Sequence, residues 1–175
     1  MADERELWER ICRGDSGAFD GFYQENFARL TGFLRQLLGN TQTAEDVAQE
    51  TFLHLWHKPN GFHPENGSLR EYLFGIGRKR AAEWWRQRKP TGDEQEPEKT
   101  GCETETSSLV EEAFSKLGAD QRSLLWLKVV EGQSYVELAE ILEIPVGTVK
   151  SRLFAAREEW RRIWHGASAG KRVAT

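Results

Sequence analysis

At 175 residues, 38% hydrophobic and 30% charged, the chain is long enough for one or two small domains with modest cores, and it is neither collagenous nor disordered throughout. No apolar run approaches the ~18 residues that cross a bilayer. Met1-Ala2-Asp3-Glu4-Arg5 lacks the basic start and apolar stretch of an export signal, so the chain is expected to remain in the cytoplasm without membrane insertion. The net charge of −4 argues against a nucleic-acid partner only until it is divided along the chain. Residues 1–90 carry 13 basic and 13 acidic groups, 91–108 carry 1 and 6, and 109–175 carry 10 and 9.

The acid is therefore concentrated in the middle. Pro90 to Gly101 has no apolar side chain to bury and cannot offset its ordering entropy, which predicts a flexible linker. The expected organisation is a first domain over 1–89, an acidic linker over 90–107, a second domain over 108–165 and a disordered tail over 166–175. Cys12 and Cys102 form no C-x-x-C pair, so neither a disulfide framework nor a thiolate metal site is indicated. Strand-like alternation is absent, and the fold class read from these features is all-α, two small helical domains.

In chain order, Asp15-Ser16 opens an apolar-periodic stretch through Phe19, Phe22, Phe27, Leu30, Phe33, Leu34, Leu37 and Leu38 that closes at Gly39-Asn40. Thr43 is the predicted N-cap of the next helix, which ends near His57 before Pro59-Asn60-Gly61. At 100° per residue, Ala44, Val47, Ala48, Thr51 and Leu55 share one face. Asp46, Gln49, Glu50, Leu53 and His57 share the other. A single exposed leucine is ordinary, but one framed by Asp46, Gln49 and Glu50 has the form of an apolar anchor with a polar rim, and the interface reading is preferred.

Asn66-Gly67-Ser68 begins a helix that continues to about Lys89, with Leu73, Gly77, Ala81 and Trp84 stepping down its core side. From Arg78 to Lys89 it carries six basic groups and one acid, a density that suits phosphates. Trp85 lies off the core stripe among these cations. It either packs on a neighbouring helix or offers a plane on which an unstacked base can rest.

In the second domain Ser108-Leu109-Val110-Glu111 is a capping box, and Asp120 is read as the cap of a segment carrying Leu124, Leu125, Leu127, Val129 and Val130. A second box, Ser134 to Glu137, leads into Leu138, Ala139, Ile141 and Leu142, then a turn at Glu143-Ile144-Pro145, then a helix from Val146. This is a helix-turn-helix. Val149, Leu153 and Ala156 would lock the last helix inward, leaving Thr148, Lys150, Ser151, Arg152 and Phe154 outside, where such side chains suit a major groove. A solvated basic face is the plainer alternative.

These motifs, in this order, resemble the bacterial sigma factors of the extracytoplasmic-function class, which keep only regions two and four. Ala44 to Trp56 is similar to the polymerase-binding helix, Tyr72 to Lys79 to the start of the promoter-melting helix, and Glu131 to Leu153 to the second DNA reader. The resemblance implies that Asp46, Gln49, Glu50 and Leu53 dock on the clamp helices of the largest subunit of core RNA polymerase. It implies that Phe62, Asn66, Ser68, Arg78, Lys79, Arg80, Trp85, Arg86 and Arg88 engage the minus-ten element of promoter DNA. Thr148, Lys150, Ser151, Arg152, Phe154 and Arg157 would read the minus-thirty-five element, with the same domain resting on the flap of the second subunit. An anti-sigma partner is common in this class. Tyr72, Lys79, Gly118 and Ala155 depart from the usual pattern, which bears on promoter sequence.

Two rival functions are weighed. Glu50, His54 and His57 are the best metal-like set for an enzyme, but no H-E-x-x-H, phosphate loop or catalytic constellation accompanies them, so no catalytic residue, metal or cofactor is expected. A dimeric helix-turn-helix repressor would protect a palindrome unaided.

Overall fold

The computed structural model describes residues 4–87 and 112–171, and the described residues hold helices without a strand. The acidic linker, the capping box at Ser108 and the side chain of Arg88 fall outside them. A first helix, α1 (Glu4–Cys12), was not anticipated. Its Trp8 and Ile11 are buried, and the Trp8 ring meets Phe62 edge-on at 5.2 Å.

Helix α2 (Ser16–Leu38) begins where the sequence places it, because the Asp15 carboxylate accepts the Ala18 N–H at 3.0 Å. It ends at Gly39, whose φ of 73° allows its N–H to reach the Arg35 carbonyl at 2.9 Å. Helix α3 (Thr41–His57) starts earlier than expected. Asn40, not Thr43, is the cap, and its side chain accepts the Thr43 N–H at 2.8 Å. Two short 3-10 turns, Pro59–Gly61 and Pro64–Asn66, lead to α4 (Leu69–Gln87). Ser68 and Glu71 cap it reciprocally: the Ser68 N–H donates to the Glu71 carboxylate at 3.1 Å and the Glu71 N–H to Ser68 Oγ at 3.2 Å.

Packing follows the periodicity. Ala44, Val47, Ala48, Thr51 and Leu55 are all buried, as are Leu73, Gly77 and Ala81. A Cβ at Gly77 would stand 2.9 Å from Leu30 Cδ1, so α4 closes on α2 at a residue with no side chain. Phe52 of α3 sits among four rings of α2, with centroids 4.8 Å from Tyr23, 6.1 Å from Phe22, 6.2 Å from Phe19 and 6.3 Å from Phe27.

The second unit opens with a helical turn over 112–115 and continues with α5 (Ala119–Val129), α6 (Tyr135–Leu142) and α7 (Val146–Lys171). Gly118 rather than Asp120 precedes α5, and its N–H donates to Gln121 Oε1 at 3.2 Å while Asp120 lies in the first turn. Leu124, Leu125 and Leu127 are buried, but Val129 is 71% exposed and Val130 is exposed too, because the helix ends there and turns them outward. Ser134 and Glu137 form the predicted box at α6. Helix α7 continues to Lys171, past position 165 where a disordered tail was expected to begin. Beyond Arg157, Trp160 and Ile163 still pack on the core and Trp160 stacks on Trp164 at 5.6 Å, so the apolar stripe outlasts the segment read as a DNA reader.

The two units touch. Helix α2 packs against α3 and α4 on its own side and against α5 of the second unit, and α4 also meets α6. Phe52→Ala is expected to lower stability by ~3–5 kcal/mol, the usual cost of removing a buried aromatic. Urea unfolding checks this, and an unmoved midpoint would contradict the packing.

Candidate functional site

Three surfaces carry the residues singled out in the sequence. On α3, Asp46, Gln49 and Glu50 are exposed, and Leu53 stands among them at 56% exposure. Gln42 donates to Asp46 Oδ1 at 3.2 Å, and Arg80 of α4 pairs with Glu50 at 3.2 Å, so the acidic rim is held from two directions. The metal-like set does not assemble. His57 Nδ1 lies 2.7 Å from the Leu53 carbonyl, and burial together with the charges of Arg80 and Lys58 holds the His54 imidazole below its usual range. Among the described residues no group of three or more His, Cys, Asp or Glu is placed to hold a metal ion.

The second surface is α4 and the loop before it. Phe62 is only 5% exposed, wedged between Trp8 and Tyr72, the latter 5.6 Å away. This corrects the expectation that its side chain faces DNA: a ring flanked by Trp8 and Tyr72 is held in the core and supports the segment from beneath. Ser68 is half-buried and occupied in the helix cap. Arg78 is partly buried, Lys79 exposed, and Arg86 exposed with its Nε near the Ala82 carbonyl at 3.4 Å. Trp85 keeps 53% of its surface exposed while its indole N–H reaches the Leu37 carbonyl at 3.3 Å. Its edge is thus tethered to α2 while a face remains open.

The third surface is α7. Val149, Leu153 and Ala156 are fully buried, and Lys150, Ser151, Arg152, Phe154 and Arg157 are exposed, Phe154 at 68%. Thr148 is half-buried, and its carbonyl accepts from Ser151 Oγ at 3.0 Å. The turn before α7 holds Glu143 at φ 53°, and its carboxylate faces the other unit, 3.2 Å from Arg78 and 2.6 Å from Lys79. Arg78 Nε also donates to the Ile141 carbonyl at 3.1 Å.

Sequence reasoning missed this seam entirely, together with Arg122, whose guanidinium donates to the Ser115, Leu117 and Gln36 carbonyls. No local pattern announces a contact between residues 86 positions apart. The capping box of α4 was detectable from Ser68-x-x-Glu71 alone.

With this geometry the chain matches two families in succession: Sigma-70 region 2 over residues 22–91 and Sigma-70, region 4 over 107–159. The chain belongs to the sigma-70 family, in its extracytoplasmic-function class. Of its relatives, RNA polymerase sigma-H factor of Pseudomonas aeruginosa is 29% identical over 174 residues, covering 89% of this chain and 90% of that one. The ECF RNA polymerase sigma factor SigW of Bacillus subtilis is 27% identical over 174 residues, covering 88% and 92%. The fold is that of CnrH, solved in complex with the cytosolic domain of CnrY, at a TM-score of 0.72 and 22% identity over 93% of this chain and 97% of that one. It is likewise that of RpoE in complex with the anti-sigma factor NepR from Bartonella quintana, at a TM-score of 0.65 and 24% identity, covering 83% and 95%. This sigma factor directs promoter-specific initiation by RNA polymerase and is not an enzyme. No helix among its described residues is long and apolar enough to cross a membrane.

One titratable group of the sigma factor is out of its ordinary range for reasons of packing. Burial pushes the Glu71 carboxyl up, against the downward pull of its two Ser68 hydrogen bonds, and Glu137 of α6 adds to the rise. The folded state therefore holds the Glu71 proton more tightly than the unfolded chain does. That stability is fully present below the ordinary carboxylate range and is lost as pH rises through the raised value. Glu71→Gln keeps an acceptor for Ser68 and carries no charge. It is expected to melt above the wild type at pH 7 to 8 and to converge with it toward pH 4, which thermal unfolding across pH checks.

Proposed function

We propose that the sigma factor works as two weak binders joined on one polymerase. Asp46, Gln49, Glu50 and Leu53 dock on the clamp helices of the largest subunit, with Leu53 as the apolar anchor and the acids and amide as its rim. Asn66, Ser68, Arg78, Lys79, Arg80, Trp85, Arg86 and Arg88 serve the minus-ten element, where the cations meet phosphates and the open face of Trp85 receives an unstacked base. Thr148, Lys150, Ser151, Arg152, Phe154 and Arg157 read the minus-thirty-five element while their domain rests on the flap of the second subunit.

Residues 90–107 act as the tether between domains 1–89 and 108–165, and tethering turns two modest contacts into one specific complex through effective concentration. Capture of unstacked bases drives melting, so nucleotide hydrolysis is not required. The protein works in the cytoplasm, where its polymerase is. An anti-sigma partner is proposed on the strength of the two structural neighbours solved with bound partners.

The observation that carries this reading is α7: every position assigned inward is fully buried, and the four charged, hydroxyl and aromatic side chains of Lys150, Ser151, Arg152 and Phe154 all face solvent. Run-off transcription on genomic fragments, with core polymerase in the presence and absence of the protein, tests it. Promoter-independent initiation in both cases overturns it.

Leu53→Glu is expected to abolish association with core polymerase while leaving helical content intact, because it sets a charge at the centre of the anchor. Pull-down at the wild-type level would count against the docking face. Arg152→Ala is expected to weaken selection of the upstream element by ~1–3 kcal/mol without changing polymerase binding. Equal transcription from native and altered upstream elements would contradict it.

A further inference from the structure

We propose that α1 is a strut for the minus-ten surface, with Glu4 and Trp8 as positioning residues that hold the segment between α3 and α4 in the shape that receives DNA. The proposal rests on the assignment of Asn66, Ser68 and α4 to the minus-ten element made above. It adds that a helix carrying none of the assigned residues sets how sharply that element is read.

The segment between α3 and α4 has little core of its own. Gly61, His63, Pro64, Glu65 and Gly67 are exposed, and Phe62 is the buried ring among them. Pro59 and Pro64 each open a 3-10 turn and fix φ there, so the chain is stiff in two short pieces. Where those pieces stand depends on what Phe62 rests on. One wall is Tyr72, at 5.6 Å, whose hydroxyl leaves no room for a Cβ at Gly61. The other is Trp8 of α1, buried and edge-on to Phe62 at 5.2 Å. An edge-to-face pair sets the orientation of a ring as well as its distance.

Helix α1 also reaches the far end of the segment. The N–H of Leu69, the first residue of α4, donates to Glu4 Oε1 at 3.1 Å across 65 positions of sequence. The first N–H groups of a helix have no partner within it, and a carboxylate placed there also complements the helix dipole. Ser68 Oγ serves the Glu71 N–H, so Glu4 supplies from outside what the local box leaves open. Glu4 and Trp8 are four residues apart and share one face of α1, which lets one short helix hold both points.

The opposite end of α1 is tied to α2. Arg10 Nε donates to Asp15 Oδ2 at 2.9 Å, while Asp15 Oδ1 caps α2 at the Ala18 N–H. The nine residues of α1 make a rod of about 13 Å, anchored at the start of α2, seated on Phe62 and ending on the start of α4. A surface already held in its bound shape loses less freedom on binding than one that must find that shape.

The test uses the full chain. Glu4→Ala removes the acceptor for the Leu69 N–H, Glu4→Gln keeps one, and Trp8→Leu stays apolar but loses the ring edge. Glu6→Ala makes the same charge change at an exposed position of α1 and serves as control. Hydrogen exchange of the free protein reads the amides of residues 59–72. Run-off transcription with core polymerase, on a promoter recovered from genomic fragments, reads discrimination: transcript from the native template relative to templates altered in the minus-ten or the minus-thirty-five element.

In Glu4→Ala and Trp8→Leu, exchange over 59–69 is expected to quicken and minus-ten discrimination to fall about tenfold, the loss if the receptive shape drops to about one-tenth of the population. Minus-thirty-five discrimination is expected to hold, which a general loss of stability would not allow. Glu4→Gln is expected to restore most of both readouts, and Glu6→Ala to match the wild type. Glu4 is exposed, so Glu4→Ala carries the test if circular dichroism shows that Trp8→Leu has lost its fold. Unchanged exchange overturns the proposal. Faster exchange with intact minus-ten discrimination overturns it too, as does an equal loss at both elements. In each of these cases a promoter-specific transcript from the wild type leaves the assigned function standing. A wild type that gives no such transcript removes that function, and the strut's part in reading DNA with it.

Discussion

Everything in this molecule leans on the burial of α2. Leu30, Phe33 and Leu34 have no exposed surface, Phe22 and Leu38 almost none, and the helix is flanked by α3, α4 and α5. A helix with neighbours on three sides needs two devices. One is a broad apolar stripe, and the other is a small residue wherever a neighbour comes close. Gly77 supplies the second device against Leu30 from α4, and Gly32 supplies it for Trp126 from α5. The first closes a domain core, and the second closes one domain on the other. The same helix therefore organises the region 2 unit and receives the region 4 unit.

This arrangement explains why the net charge misleads. The acidic excess lies in residues 91–108, while the basic groups are placed on two helix faces that meet solvent or each other's acids. Charge neutrality over a whole chain does not describe the field at any one face. Arg80 pairs with Glu50 and Arg78 with Glu143, so cations assigned to DNA also serve in holding helices together. A phosphate must compete for them, and the strength of that competition depends on salt.

The chemistry of the sigma factor is accordingly one of surfaces. The residues proposed for its work are defined by where exposed side chains stand: Leu53 inside a polar rim, Trp85 tethered by its edge with a face open, and Phe154 and Arg152 on the outer side of α7. Each is held by buried neighbours one turn away, which is how a small helical protein fixes the position of a side chain without a deep pocket. Phe62 shows the converse. It lies in a segment that the sequence resemblance assigns to DNA contact, yet Trp8 of an unanticipated helix captures its ring.

What the sequence determined by itself is the helical architecture and the faces of α3, α4 and α7, because a 3.6-residue period and the residues at helix ends act over one or two turns. The starts at Asp15 and Ser134, the stop at Gly39 and the inward set Val149, Leu153 and Ala156 all follow from such local rules. The cap falls at Asn40 in place of Thr43, and the Asn40 side chain accepts the Thr43 N–H itself. Tertiary structure alone decided the fate of α1, the burial of Phe62 and the meeting of Trp126 with Gly32. Tertiary structure alone also brought Glu143 to Arg78 and Lys79, and set the upward shift of the Glu71 carboxyl. These depend on contacts between residues distant in sequence, from Trp8 with Phe62 to Gly32 with Trp126, and such contacts are chosen by the shapes and charges of whole faces once the helices exist.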